Sequence, residues 1–183
     1  MQPHSTRPAV PEQDSEASVI PFPTGEPPLQ LEAFLPYRFN VLSALVLRAL
    51  GQIFGERYGI AIPEWRVIAT IGQFGTLTAK QIGAHSHMHK TKVSRAVATL
   101  ERRNLIIRRS NKADLREAFL SLTEDGLAIY RDIAPTALEF GDRMVADLDP
   151  TDYAVLDRVL DKLTARAAAL ASEATSGPDD DLD

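Results

Sequence analysis

The stretch that decides the fold is Thr78–Leu122, which reads TAKQIGAHSHMHKTKVSRAVATLERRNLIIRRSNKADLREAFLSL. Its pattern predicts a short helix, a turn, a second helix and then a two-stranded β-hairpin with a charged tip. From Lys80 to Arg116 there are ten basic and two acidic residues, a net charge of +8 within a chain of formal net charge −5. Such a local inversion of charge is typical of a surface that faces a polyanion such as DNA.

The second helix of this stretch, predicted from about His89 to Asn104, has two faces of different chemistry. Apolar residues at positions i, i+4 and i+7 predict a buried stripe, formed by Val93, Val97 and Leu100. The opposite face is polar, basic and short-chained near the helix N-terminus, with Lys90, Thr91, Ser94, Arg95 and Ala98. A helix that enters the major groove of DNA needs a face of this kind.

The elements on either side of that helix are shorter. Thr78 and Gln81 have the spacing of a capping box, which predicts a helix that opens there and ends near His85. Residues 105–109 and 118–122 are β-prone runs joined by a polar segment, so we predict that they pair as a hairpin.

Longer helices are predicted outside this stretch. One runs from about residue 35 to 58, and its wide apolar stripe indicates burial on two sides. Another runs from about residue 63 to 74, because proline is favoured in a first helical turn. After the hairpin, a helix capped by Thr123 is predicted to run to about Asp147. A last helix, capped by Asp149, is predicted from about residue 151 to 174.

Composition excludes several classes of protein. The chain has no cysteine, which rules out disulfides, zinc fingers and thiol-based sensing. It shows no Gly-rich phosphate loop or nucleophile motif, so we predict neither an enzyme nor a bound cofactor. It also has no apolar run of about 18 residues and no leader pattern, which predicts a cytosolic protein that does not bind membranes.

Several short motifs carry a resemblance to a known family. They are Ile62-Pro63-Glu64-Trp65-Arg66-Val67, Lys92-Val93-Ser94-Arg95-Ala96-Val97, Leu100-Glu101, Asp114-Leu115-Arg116 and Leu120-Ser121-Leu122-Thr123-Glu124-Asp125-Gly126. In this order and spacing they resemble the MarR family of bacterial transcription regulators, over about residues 34–172.

The resemblance implies a mainly α fold with a small β-hairpin wing, in which a winged helix-turn-helix is flanked by N- and C-terminal dimerisation helices. The expected parts are a disordered Pro-rich tail, a dimerisation helix, the DNA-binding lobe, further dimerisation helices and an acidic tail, at residues 1–30, 31–61, 62–122, 123–175 and 176–183. The function implied is that of a cytoplasmic, nucleoid-associated homodimer that binds double-stranded DNA. It would act as a repressor, released from a pseudo-palindromic operator by a small anionic or aromatic effector.

The same resemblance places the DNA contacts on the second helix, the turn before it and the hairpin. Asp114 would orient Arg116 so that its guanidinium enters the minor groove. The predicted DNA-binding residues are Thr78, His87, His89, Lys90, Thr91, Lys92, Ser94, Arg95, Arg108, Arg109, Asn111, Lys112, Asp114 and Arg116.

The effector site is predicted at Phe39, Trp65 and Arg66, because an arginine beside an aromatic ring can pair with a carboxylate while the ring stacks on the ligand. The alternative is that Trp65 is simply a core residue.

Two other functions stay open at this point. Histidines 85, 87 and 89 alternate across the turn and could serve a metal-responsive regulator, although we predict no metal site there. A helical interaction scaffold without DNA binding would also be largely helical, but it would have no reason to keep the +8 stretch.

Overall fold

The computed structural model describes residues 29–110 and 117–175. Predictions for the two tails and for Asn111, Lys112, Asp114 and Arg116 in the hairpin tip lie outside the described residues.

Helices dominate the described part of the chain, and a small antiparallel sheet lies among them. The elements are α1 (Leu35–Tyr58), α2 (Ile62–Phe74), β1 (Leu77–Thr78), α3 (Ala79–Ser86), α4 (Lys90–Arg102), β2 (Ile106–Ser110), β3 (Ala118–Leu122), α5 (Glu124–Met144) and α6 (Pro150–Thr175). The predicted fold class, mainly α with a hairpin wing, is confirmed. Helix α5 ends at Met144, slightly earlier than predicted.

Side chains at the predicted positions cap the N-termini of three helices, α3, α5 and α6. The capping box is present: Gln81 N donates to Thr78 Oγ1 at 3.3 Å, and Thr78 N donates to Gln81 Oε1 at 2.8 Å. Thr123 Oγ1 accepts the N–H of Gly126 at 3.0 Å at the start of α5. Asp149 accepts the N–H groups that open α6, and these backbone hydrogen bonds hold the pKa of its carboxyl below the ordinary value.

The sheet has three strands rather than the two predicted. Strand β3 lies in the middle, paired with β1 through Leu77–Leu120 and with β2 through Arg108–Leu120. Strand β1 has two residues, too few to show the alternation by which a strand is recognised in a sequence. It holds the start of α3 against the hairpin.

The core lies between α2, α4 and the sheet. Its fully buried side chains include Ile68, Val97, Leu100 and Leu120, and Ile133 contributes from α5. Helix α5 passes close to Leu105 at Gly126, since a Cβ on Gly126 would overlap the carbonyl oxygen of Leu105. No larger residue fits there without moving the backbone.

The outer helices are covered far less. The boundary between the chain's two units falls inside α1, after Asn40. Within α1 only Phe54 is buried, so the predicted burial on two sides is absent from the described chain. Residues 150–174 of α6 include no buried residue, although Tyr153, Leu156, Leu160 and Leu170 follow one another at helical spacing. Within residues 29–110 and 117–175, none of the helices combines the length and apolarity that a membrane span requires.

Candidate nucleic-acid interface

Helix α4 separates its two faces as the sequence predicted. Its buried residues are Val93, Ala96, Val97 and Leu100, which lie against the core. Lys90, Thr91, Lys92, Ser94, Arg95 and Ala98 are exposed. Because the buried stripe fixes the rotation of the helix, Thr91, Ser94, Arg95 and Ala98 are directed away from the core, and the two lysines flank them on either side.

Two of the histidines, His87 and His89, lie in the turn before α4. His87 ends α3 in the left-handed region, with a φ of 51°, and its N–H bonds to Gly83 O. His89 is the N-cap of α4, and its Nδ1 accepts the N–H of Thr91 at 3.3 Å. The neutral imidazole therefore carries its proton on Nε2, a donor suited to a phosphate oxygen.

Thr78, predicted as a DNA contact, has a structural role in the fold. Its side chain caps α3, and the residue is 6% exposed. Because its hydroxyl accepts the N–H of Gln81 and can still donate its own proton, the predicted DNA contact stays a prediction.

Arg108 is exposed on β2, but its guanidinium has an intramolecular partner. Arg108 Nε donates to Glu101 Oε1 at 2.7 Å and its Nη2 donates to Oε2 at 3.0 Å. These hydrogen bonds lower the pKa of the Glu101 carboxyl and raise the pKa of the Arg108 guanidinium. The pair ties the wing strand to α4 and leaves Arg109 as the exposed arginine beside it.

A cleft of about 530 Å³ lies between the two helices of the motif and the sheet. Lys80 lines it from α3, Lys90 and Ser94 from α4, Arg108 from β2, and Glu117 just before β3. These elements thus form one concave surface that carries three cations and one carboxylate.

The three alternating histidines have separate surroundings. The ring of His85 stacks on Phe74 with ring centroids 4.1 Å apart, whereas His87 and His89 belong to the turn. Among the described residues, no group of three His, Asp or Glu side chains could hold a metal ion. The metal-responsive alternative gains no support from this geometry.

Two of the residues predicted for an effector site, Trp65 and Arg66, lie on α2. Trp65 packs against the core, with its ring 5.3 Å from Phe54 and stacked on Tyr130 at 6.1 Å. Arg66 is half-buried on the same helix. The third, Phe39, belongs to the unit that ends at Asn40 and is 38% exposed. Trp65 is only partly buried, so its predicted contact with an effector stays a prediction.

Sequence reasoning missed the partners of two arginines that were counted in the basic stretch. Arg108 binds Glu101, and Arg103 binds the carbonyl oxygens of Tyr58 and Gly59 at the end of α1. The contacts of Arg103 could not be predicted from a local pattern, because Arg103 lies 44 positions after Gly59 and 45 positions after Tyr58.

These elements define a winged helix-turn-helix: a helix pair, an exposed polar face on its second helix and a hairpin beside it.

Comparison with known proteins supports this fold. Residues 60–118 match the family model described as MarR family. The chain is similar to the HTH-type transcriptional regulator MhqR of Bacillus subtilis strain 168, at 24% identity over 112 residues, which are 61% of this chain and 77% of that protein.

Two solved structures have a similar fold. The S. aureus MepR–DNA complex gives a TM-score of 0.67 at 21% identity, covering 73% of this chain and 98% of that one. Bordetella bronchiseptica BpsR, whose DNA binding is regulated by 6-hydroxynicotinic acid, gives 0.60 at 18% identity, covering 69% and 98%. With the family match, these findings show that residues 60–118 are similar to the MarR family and that the chain shares the fold of such regulators.

Proposed function

We propose that this protein is a homodimeric transcription regulator that binds a pseudo-palindromic operator in double-stranded DNA. It acts as a repressor, because occupying an operator blocks polymerase without any further contact. The observation that carries the proposal is the exposed basic face of α4, which the buried stripe of Val93, Val97 and Leu100 holds outward. MepR, with a similar fold, is known in complex with DNA. A protein with this task works at the nucleoid, in the cytoplasm.

On this proposal, α4 is the recognition helix. Thr91 and Ser94 are short enough to let the helix approach the bases, and Arg95 reaches a guanine edge or a phosphate. Lys90, Lys92, His87, His89 and Arg109 bind the DNA backbone, together with Asn111 and Lys112. Asp114 orients Arg116 in the minor groove. Arg108 contributes through the position of the wing, since its guanidinium is bound to Glu101.

The dimer is formed by residues 31–61 and 123–175. Support comes from α6, where Tyr153, Leu156 and Leu160 form an exposed apolar face at helical spacing. An apolar face of this length on a monomer is typical of a protein–protein contact, and a second copy is the partner that duplicates the recognition helix. Two such helices about 34 Å apart can read the two halves of a palindrome.

The switch is displacement by a small anionic or aromatic effector. The regulation of BpsR by 6-hydroxynicotinic acid supports this chemistry in a protein of similar fold. Phe39, Trp65 and Arg66 remain the proposed contacts. An effector needs only to change the spacing of the recognition helices to lower affinity, because both must engage at once.

The first experiment measures binding of the full chain to the duplex upstream of its own gene at several salt concentrations. We expect tight binding whose logarithm falls steeply with the logarithm of salt concentration, because bound phosphates release counterions. A helical scaffold would show no such binding.

Arg95→Ala tests the assignment of the recognition helix. We expect a loss of affinity of about 10-fold to 100-fold, which corresponds to one base or phosphate contact, with unchanged thermal unfolding. The matched control is Arg158→Ala, which removes one exposed arginine from α6. Equal affinities for the two variants would contradict the proposed interface.

A further inference from the structure

The end of the recognition helix meets the ends of two other helices at one side chain. Arg103 is the C-cap residue of α4. Its Nη1 donates to Gly59 O at 2.7 Å, and its Nη2 donates to Tyr58 O at 3.0 Å. Both acceptors belong to the C-terminal end of α1, where Gly59 has a φ of +60°.

These carbonyl groups have no partner within their own helix. The last carbonyls of a helix are left unpaired and carry the negative end of the helix dipole, so a guanidinium is favoured there. Arginine can bond two neighbouring carbonyl oxygens with two nitrogen atoms of a planar group of fixed geometry, whereas lysine has a single nitrogen atom and no such fork.

A second contact adds α2 to this junction. Glu64 Oε2 lies 3.7 Å from Arg103 Nη1 and also accepts the N–H of Ala61 at 3.0 Å, where it completes the cap of α2. The Glu64 side chain is 14% exposed and that of Arg103 is 35% exposed. The contact is therefore better shielded from solvent than a typical surface ion pair.

The position of Arg103 matters because α1 is otherwise held by few buried groups. Phe54 is its single buried residue in the described chain, and it packs on Trp65 of α2. Arg103 instead joins α1 directly to α4, at the end of α4 that lies opposite the His89 cap. We infer that Arg103 is a positioning residue that holds the recognition helix at a fixed angle to α1, and thereby sets the affinity for DNA without touching it.

This inference rests on the proposed function, since it assumes that α4 binds DNA through its exposed face. Three variants of the full chain test it with the same upstream duplex: Arg103→Gln, Arg103→Lys and the control Arg102→Gln. Arg102 is the adjacent exposed arginine and donates to Thr99 Oγ1 within its own helix, so both glutamine variants lose one charge at nearly the same place.

We expect Arg103→Gln to bind about 5-fold to 30-fold more weakly than Arg102→Gln, the range seen when a residue couples two elements. The salt slopes of the two variants should be equal, because neither loses a phosphate contact. Arg103→Lys should resemble Arg103→Gln, since it keeps the charge but loses the two-nitrogen geometry that fits both carbonyls.

Several outcomes would overturn the inference. Equal affinities of Arg103→Gln and Arg102→Gln would give Arg103 only a structural role. Wild-type affinity in Arg103→Lys would show that charge alone matters. A salt slope lower by about one in Arg103→Gln alone would make Arg103 a phosphate contact. If the wild type itself bound no DNA, the proposed function would fail instead.

Urea unfolding of each variant accompanies these measurements. If Arg103→Gln did not fold, Glu64→Gln would replace it, because glutamine can still cap α2 while the charged partner of Arg103 is lost. We expect a smaller loss of affinity, about 2-fold to 5-fold, and an unchanged affinity would count against the inference.

Discussion

Helices α4 and α6 both have an apolar stripe, but the two stripes meet different surroundings. In α4 the stripe is buried against α2 and the sheet, and Leu100 is 0% exposed. In α6 the residues of the stripe are each about two-fifths to one-half exposed, from Leu156 at 37% to Tyr153 at 50%. The stripe of α4 is covered by other residues of the same chain. The stripe of α6 is left exposed, and this exposure is the reason for proposing a dimer.

The largest effect is expected from breaking the α6 stripe. Replacing Leu156 and Leu160 together by aspartate places two charges where a second copy would pack, so we expect a monomer. DNA affinity should fall by about 100-fold or more, because the two recognition helices no longer act as one ligand.

Sedimentation equilibrium and DNA binding of the same variant provide the check. The control is Arg158→Asp together with Lys162→Asp, which also adds two carboxylates to α6 but on its polar side. A dimeric Leu156→Asp, Leu160→Asp variant with wild-type affinity would exclude this face from the assembly.

The next effect comes from the α4 stripe. Leu100→Ala removes a fully buried side chain and leaves a cavity, so the free energy of unfolding should fall by about 2–5 kcal/mol. Leu170→Ala on α6 should cost less, since the leucine is already 48% exposed. Urea denaturation measures both, and equal losses would mean that the two helices are covered alike.

The smallest effect on the free energy of unfolding is expected from two ion pairs, one involving α4 and one on α6. Glu101 on α4 has a lowered pKa because Arg108 donates hydrogen bonds to it, while Glu173 on α6 lies 3.8 Å from Arg166 with both side chains about two-thirds exposed. A lowered folded pKa adds stability above the ordinary value of 4.5, and this stability is lost as pH falls through the folded value.

Glu101→Gln should therefore be less stable than the wild type at pH 7, by under about 1 kcal/mol for so exposed a pair. The difference should vanish in acid. Glu173→Gln should change the free energy of unfolding at pH 7 less than Glu101→Gln, because its ion pair with Arg166 is longer and more exposed. Thermal unfolding at several pH values tests this, and a pH-independent loss in Glu101→Gln would assign the effect to packing.

The contrast also shows what a sequence can reveal. Periodicity predicted the buried and exposed faces of α4, because both follow from the pitch of one helix. The caps at Thr78, Thr123 and Asp149 were equally local and were predicted correctly. A family resemblance added the order of the elements.

Contacts between distant parts of the chain were beyond such reasoning. The basic stretch was counted as one surface, yet Arg103 is bound to the end of α1 and Arg108 to Glu101. Strand β1 was missed since two residues have no period. The polarity of Thr78 was visible in the sequence, whereas its burial depends on β3.

The two contacts of Thr78 limit where residues can be inserted in this lobe. Its backbone pairs with Phe119 in the sheet, and its side chain caps α3, which begins at the next residue. A residue inserted between Leu77 and Ala79 would either shift the pairing, which turns every side chain of the strand to the opposite face, or move the cap away from Gln81. Insertions and fused tags are therefore better placed near Asp147, in the connection between α5 and α6, than between Phe74 and Ala79.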